Sequence, residues 1–334
     1  MWIPSEYLQA LLLLIISMLC WGSWGNALKL MDGCRFELFY WDFVFGTTLV
    51  SIVLALTLGS LGSSGPPFLA DLSAATTAGI GYGFAGGAVF NLSNIMLTAA
   101  IEVAGLAVAF PVGVGLSIVI GVVLNYIITP KNDPILLFMG VLLIIVAILI
   151  DAAAFRKHLG DSAKKSTSRG ILLCILSGVG LGFFYPLVAK SLAEPHPMGP
   201  YAIGVVFMLG MLTCNFIVNT AIMARPITDR PPLPLSAYFR MPARWHLLGL
   251  LGGGAVWGLG TVLNFGASSS GLVGPATSFA LGDGAVLISA LWGILVWKEF
   301  KGATEEVKRL LLYMVLIFSL GLTLIALSPV VSLA

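Results

Sequence analysis

Apolar residues in this chain run in unbroken blocks of about twenty, with polar residues confined to short gaps between them. Ten such blocks follow one another: Tyr7 to Leu28, Phe39 to Leu58, Ala75 to Ala99, Val103 to Ile128, Ile135 to Phe155, Ile171 to Leu192, Tyr201 to Met223, Leu247 to Ser268, Leu272 to Trp297 and Leu310 to Leu327. At about 1.5 Å rise per residue, each is long enough as a helix to cross a hydrocarbon layer. The strands of a membrane barrel would alternate apolar and polar residues instead. A helix also pairs its own backbone groups where no water is available to do so. The pattern therefore predicts an all-α polytopic membrane protein with ten transmembrane helices.

The polar exceptions inside the blocks are spaced helically. In the third block Asn91, Asn94 and Thr98 fall on one face, and in the eighth Trp257, Thr261, Asn264 and Ser268 do the same. Trp21, Trp24 and Asn26 lie in or near the first block, and Tyr185 stands beside Pro186 in the sixth. The third and eighth blocks also echo each other. "GGAVFNLSNIMLTAAIEVAGL" begins at Gly86 and "GGAVWGLGTVLNFGASSSGL" at Gly253, an alignment that sets Asn94 against Thr261. A weaker echo pairs "ISMLCWGSWGNALK" with "LSGVGLGFFYPLVAK", matching Ser17 and Gly22 to Ser177 and Gly182.

Two echoes in the same order predict a duplicated chain, residues 1–160 forming one five-helix repeat and residues 161–334 the second. An odd number of helices per copy inverts the second copy in the membrane, and inverted repeats place a binding site near the midplane. Two uses compete for the polar stripes, because Asn, Ser and Thr in membrane bundles also bond neighbouring helices for about 1 kcal/mol or less each. Their appearance in both repeats favours a substrate site.

Charge adds orientation. Fifteen of the seventeen Lys and Arg residues lie in the loops after the first, fifth, seventh and ninth blocks, and only Lys131 and Lys190 fall on the other side. Positive loops stay in the cytoplasm, so both termini are expected outside and the loop between the fifth and sixth helices inside, in a plasma or inner membrane. No basic segment precedes the first block, which reads as a retained helix rather than a cleaved signal. With 58% hydrophobic and 10% charged residues, the formal charge of +2 is a topology signal and implies no nucleic-acid partner. The four cysteines, Cys20, Cys34, Cys174 and Cys214, form neither a disulfide framework nor metal-ligand spacing.

Asp283 stands out inside "ALGDGAVLIS", near the middle of the ninth block and between two glycines. An acid there costs about 2.5–3.5 kcal/mol unless it is solvated or paired, so it is expected to face an aqueous cavity and to carry the coupling proton. Asp42, about one turn into the second helix, is the next candidate for that role. Asp151, near the basic loop, reads as an interfacial acid.

"LCWGSWGNALKL", "YWDFVFGTTLVSIVLALTLG", "LSNIMLTAAIEVAGLAVAFPVGVGLSIVIGVVLNYI" and "SALWGILVWKEFKG" resemble, in order and spacing, the ureide permease family of the drug/metabolite transporter superfamily. The closest matches include Trp24, Asp42, Asn94, Leu124-Asn125-Tyr126, Trp292-Gly293-Ile294 and Glu299. The resemblance implies the ten-helix drug/metabolite transporter fold and transport of nitrogen-rich heterocycles such as allantoin, uracil and oxopurines. Plant members carry a longer central loop with a phosphate-binding motif. Here that loop is "RKHLGDSAKKSTSRG", which lacks the glycine such a motif needs.

The expected function is a secondary transporter, proton-coupled with sodium as the alternative ion, acting as a monomer or homodimer. A sugar uptake permease or a broad metabolite and drug exporter are the alternatives. His158, His196 and His246 lie in loops or at helix ends with no metal cluster or activated nucleophile, so neither an enzyme nor a cofactor is expected.

Overall fold

The computed structural model describes residues 1–104, 110–160, 168–228 and 230–333. Within these residues the chain is helical and forms no strand. Among the described residues nine helices are long and apolar enough to span a bilayer, and a shorter apolar helix joins them. In chain order they are α1 (Tyr7–Leu30), α2 (Phe36–Leu56), α3 (Thr77–Ala104), α4 (Val112–Ile128), α5 (Pro134–Leu159), α6 (Ser168–Leu192), α7 (Pro200–Ala224), α8 (Ala243–Ser269), α9 (Pro275–Val296) and α10 (Glu305–Leu333). The protein is thus a polytopic membrane protein. The loop with Lys164 and Lys165 and the Gly105-Leu106 pair lie outside the described residues.

Helix ends differ from the apolar blocks where polar residues continue a helix. α10 starts at Glu305, five residues before its apolar block, because Glu305 and Glu306 suit the positive end of a helix and Glu305 pairs with Lys308 one turn on. α5 is capped by Asp133, whose side chain accepts from the Leu136 N–H, with Pro134 at the first helical position.

α9 is one continuous block in sequence but two helices in the structure. Pro275–Gly282 ends at a turn of Asp283 and Gly284, and Ala285–Leu291 resumes beyond it. Across the break the bonds tighten to three-residue steps, from Gly284 N–H to Leu281 O and from Val286 N–H to Asp283 O.

The main helix contacts are α3 with α6 and α7, α1 with α8, α2 with α7 and α8, α4 with α6, α1 with α9, and α5 with α10. Exchanging α1–α5 for α6–α10 maps these contacts onto one another. Individual close approaches follow the same exchange. Gly22 of α1 lies against Ala285 and Ile288 of α9, as Gly182 of α6 lies against Ser117 and Ile120 of α4, and any side chain at either position would strike its neighbour.

Large apolar side chains on α1, α5 and α10, such as Leu8, Leu142 and Leu316, are exposed, as a lipid-facing surface requires. The ammonium of Met1 donates to Gly65 O beyond α2, and Asp133 N–H before α5 donates to Ser328 O near the end of α10. Both chain ends therefore lie with the α2–α3 and α4–α5 connections, opposite the end that carries Lys29, Arg35 and Glu299.

Candidate functional site

A cavity of about 430 Å³ runs from the middle of the bundle to the end that carries Lys29 and Glu299, a volume suited to a small molecule. Its inner end is aromatic because α1, α3 and α8 each turn a ring toward it. Trp257 is stacked between Trp21, 5.8 Å away at 12°, and Phe90, 4.5 Å away at 26°. Trp24 and Phe184 complete this wall. Such stacked rings offer flat, apolar faces to a planar ligand. Of the three indoles here, only Trp21 has its N–H engaged by protein among the described residues, donating to Thr261 Oγ1 at 3.0 Å.

Polar groups are set into this wall. Asn94 Nδ2 donates to Tyr40 OH at 2.7 Å, which fixes the amide while its other end faces the cavity. Thr98 lines the same side and bonds back to Asn94 O. Asp283, at the break in α9, also lines the cavity, and its Oδ2 is buried with no hydrogen-bond partner among the described residues. A broken helix aimed at a mid-membrane cavity is where transporters bind substrate and coupling ions. The break fits closely, since a Cβ on Gly282 would sit 2.9 Å from Asn264 Nδ2. Asp151 of α5 lines the cavity nearer its mouth, with no ion pair or hydrogen bond to its carboxyl among the described residues.

The mouth is stitched between α1 and the end of α9. Trp297 Nε1 donates to Asn26 Oδ1 at 2.6 Å, Trp292 Nε1 donates to Ser23 Oγ at 2.8 Å, and Lys29 pairs with Glu299 while lying 4.7 Å from the centre of the Trp297 ring. Asn26 Nδ2 is also engaged, by Ser23 O, so this residue closes the mouth rather than offering a free amide.

Trp21, Trp24, Asn26, Asn94, Thr98, Trp257 and Asp283 thus meet in one cavity, and the other candidates do not line it. Thr261 and Asn264 are fully buried one and two turns past Trp257. Asn264 accepts from Tyr185 OH at 2.6 Å and donates to Ser278 O at 3.0 Å. Asn91 is buried with its amide atoms unpartnered among the described residues.

Asp42 lies elsewhere, receiving Tyr238 OH at 2.6 Å and facing His246 Nδ1 at 2.9 Å, so it ties α2 to the α7–α8 connection. Burial, and then the adjoining Asp42 carboxyl, push the Tyr238 hydroxyl well above its usual range.

A second cavity of about 470 Å³ opens at the opposite end, lined among others by Asp71, Lys131, Ser268 and Pro275. Burial pushes the Asp71 carboxyl up, although the Gly199 N–H and the Met1 ammonium act against it. Between the two cavities stands a septum. Tyr185 and Asn264 form its polar part, and Phe279 packs against Phe184 at 5.8 Å and Tyr185 at 5.4 Å.

Phe90, Asp151, Trp292, Trp297 and Glu299 are among the cavity residues that the sequence did not single out for the site. Phe90 was within reach, since the alignment of the two "GGAV" segments sets it against Trp257 and it stands four residues before Asn94.

The family model for ureide permease matches residues 39–172 and 156–328. Ureide permease 1 of Arabidopsis thaliana is 22% identical over 92% of this chain and 94% of its own. Ureide permease 4 of the same plant is 22% identical over 95% and 96%. A Listeria innocua protein named for sugar uptake is 24% identical over 78% of this chain and 84% of its own. A solved crystal structure covers 94% of this chain and 96% of its own with a TM-score of 0.58 at 16% identity, a shared fold.

Proposed function

Because the chain belongs to the ureide permease family, whose members are transporters and not enzymes, we propose that it takes up small nitrogen-rich heterocycles by proton-coupled alternating access. The substrates would be allantoin, uracil or oxopurine-like rings. The observation that carries this reading is the aromatic cavity that ends on a broken helix at Asp283. A flat ring with amide edges stacks on Trp24, since both faces of Trp257 are taken by Trp21 and Phe90, and Asn94 pairs with its N–H and C=O groups.

Residues 1–160 and 161–334 act as inverted halves of one machine, a reading supported by the contacts that exchange when α1–α5 are swapped for α6–α10. With the basic loops in the cytoplasm, the cavity faces inward and the second cavity is the outer vestibule. Asp283 takes a proton from the outer side when the septum opens, and gives it up to the inner cavity after the halves rock back. Asp42, tied into Tyr238 and His246, holds the α7–α8 connection in place rather than carrying the coupling proton.

Uptake into proteoliposomes tests this. An inward proton gradient is expected to drive accumulation of allantoin or uracil, and Asp283→Asn is expected to keep counterflow exchange while losing accumulation. Accumulation by that variant with unchanged pH dependence refutes the role of Asp283. A second reading, sugar uptake, draws on the Listeria relative, and the same vesicles supplied with glucose decide between the two.

A further inference from the structure

The charges around the inner cavity are unequal in a way that bears on its ligand. Three acids line it, Asp151, Asp283 and Glu299, against one cation among the described lining residues, Lys29. That cation is spent at the mouth, paired with Glu299 and lying on the Trp297 ring. Among the described residues neither Asp151 nor Asp283 has an ion pair, and no arginine lines the cavity. Recognition of a carboxylate or phosphate uses the opposite arrangement, an Arg or Lys presenting N–H groups to the anion. Carboxyl acceptors beside the aromatic wall of Trp24, Trp257 and Phe90 instead suit N–H donors and positive charge.

Resting on the reading of this cavity as the substrate site, we propose that it selects by charge. It takes neutral or cationic rings rich in N–H groups and turns away ligands with a fixed negative charge, and Asp151 is the specificity-determining residue of that filter. Asp283 alternates between charged and neutral forms under the proposed cycle, so it cannot repel anions at every stage. Asp151 stands on the path between the mouth and the aromatic wall, where a ligand passes in either direction. Within the partly desolvated cavity, a negative charge on the ligand several ångströms from this carboxylate is expected to weaken binding by at least about tenfold.

The test uses matched pairs on the purified full chain: allantoin against its ring-opened carboxylate, allantoate, and glucose against glucuronate. Binding is read by thermal shift and by counterflow in proteoliposomes. The neutral member is expected to bind at least about tenfold more tightly. Asp151→Asn is expected to bring the two to within about threefold, whereas Asp151→Glu, which keeps the charge, preserves the gap and separates the effect from misfolding. Equal binding of both members by the wild type, or an unchanged gap in a folded Asp151→Asn protein, overturns the charge filter alone. If no neutral ligand binds, the assignment of the substrate site falls, and this inference with it.

Discussion

Tyr40 touches no ligand-facing surface, yet its hydroxyl is expected to set the affinity of the site. It lies 2.7 Å from Asn94 Nδ2, and both residues are buried, Tyr40 at 1% exposure and Asn94 at 7%. Tyr40→Phe removes only that oxygen and leaves the ring against Phe43, 5.2 Å away. The Asn94 amide then has a buried donor with no acceptor, at a cost of about 1–3 kcal/mol. In a chain this long that lowers the melting temperature by a few degrees.

The freed amide can also turn away from the ligand. Losing one aligned hydrogen bond costs about 1–2 kcal/mol of binding, or about 5- to 30-fold in Kd. Asn94→Ala removes the contact outright, so adding Tyr40→Phe to it should weaken binding no further, and the cycle should show a coupling of about 1 kcal/mol or more. Tryptophan-fluorescence titration with allantoin and uracil, beside thermal unfolding, measures both quantities. Additive losses of affinity, or normal binding by Asn94→Ala in a folded protein, would refute the reasoning.

Three further outcomes are expected. Tyr238→Phe removes a 2.6 Å hydrogen bond to Asp42 and should destabilise the protein by about 1.5–3 kcal/mol, seen as a lower melting temperature with ligand affinity unchanged. Gly22→Val places a side chain into Ala285 O and Ile288, so it should abolish folded protein by size-exclusion chromatography, whereas the same change at the open Gly25 should not. In a background lacking the native cysteines, Leu61→Cys should react in intact cells with a membrane-impermeant thiol reagent and Arg240→Cys should not, the reverse overturning the orientation; Leu61 is chosen because it is 68% exposed, while Asp71 in the same connection is buried.

Periodicity and polarity made the helices and the inner face of the site legible, because both depend on contacts within one turn. The step of four from Asn94 to Thr98 and the lone acid in α9 point inward for the same reason: polar groups in hydrocarbon need partners or water. The stripe on α8 faces the interior of the bundle but does not tell the depth at which the cavity stops, since only Trp257 of it lines the cavity. Thr261 and Asn264 satisfy their groups on Trp21, Tyr185 and Ser278, which come from α1, α6 and α9.

Distance along the chain also hides the surroundings of two acids. Asp151 is five residues from Arg156 and reads as part of the basic end, but its side of α5 faces the cavity. Asp42 sits within a span and reads as a coupling acid, but its partners Tyr238 and His246 lie about two hundred residues away and no local pattern announces them.

The septum of Tyr185, Asn264 and Phe279 has an electrical consequence. With solvent in the two cavities, as the proposed cycle requires, the bulk potential would reach inward from both sides, and the voltage across the membrane would fall mostly over this thin layer rather than over the full hydrocarbon thickness. Under the proposed cycle, each turnover carries one positive charge across nearly the whole field, worth about 2.3 kcal/mol per 100 mV. Uptake of a neutral ring would then generate current. A membrane potential, negative inside, would drive accumulation even with equal pH on both sides.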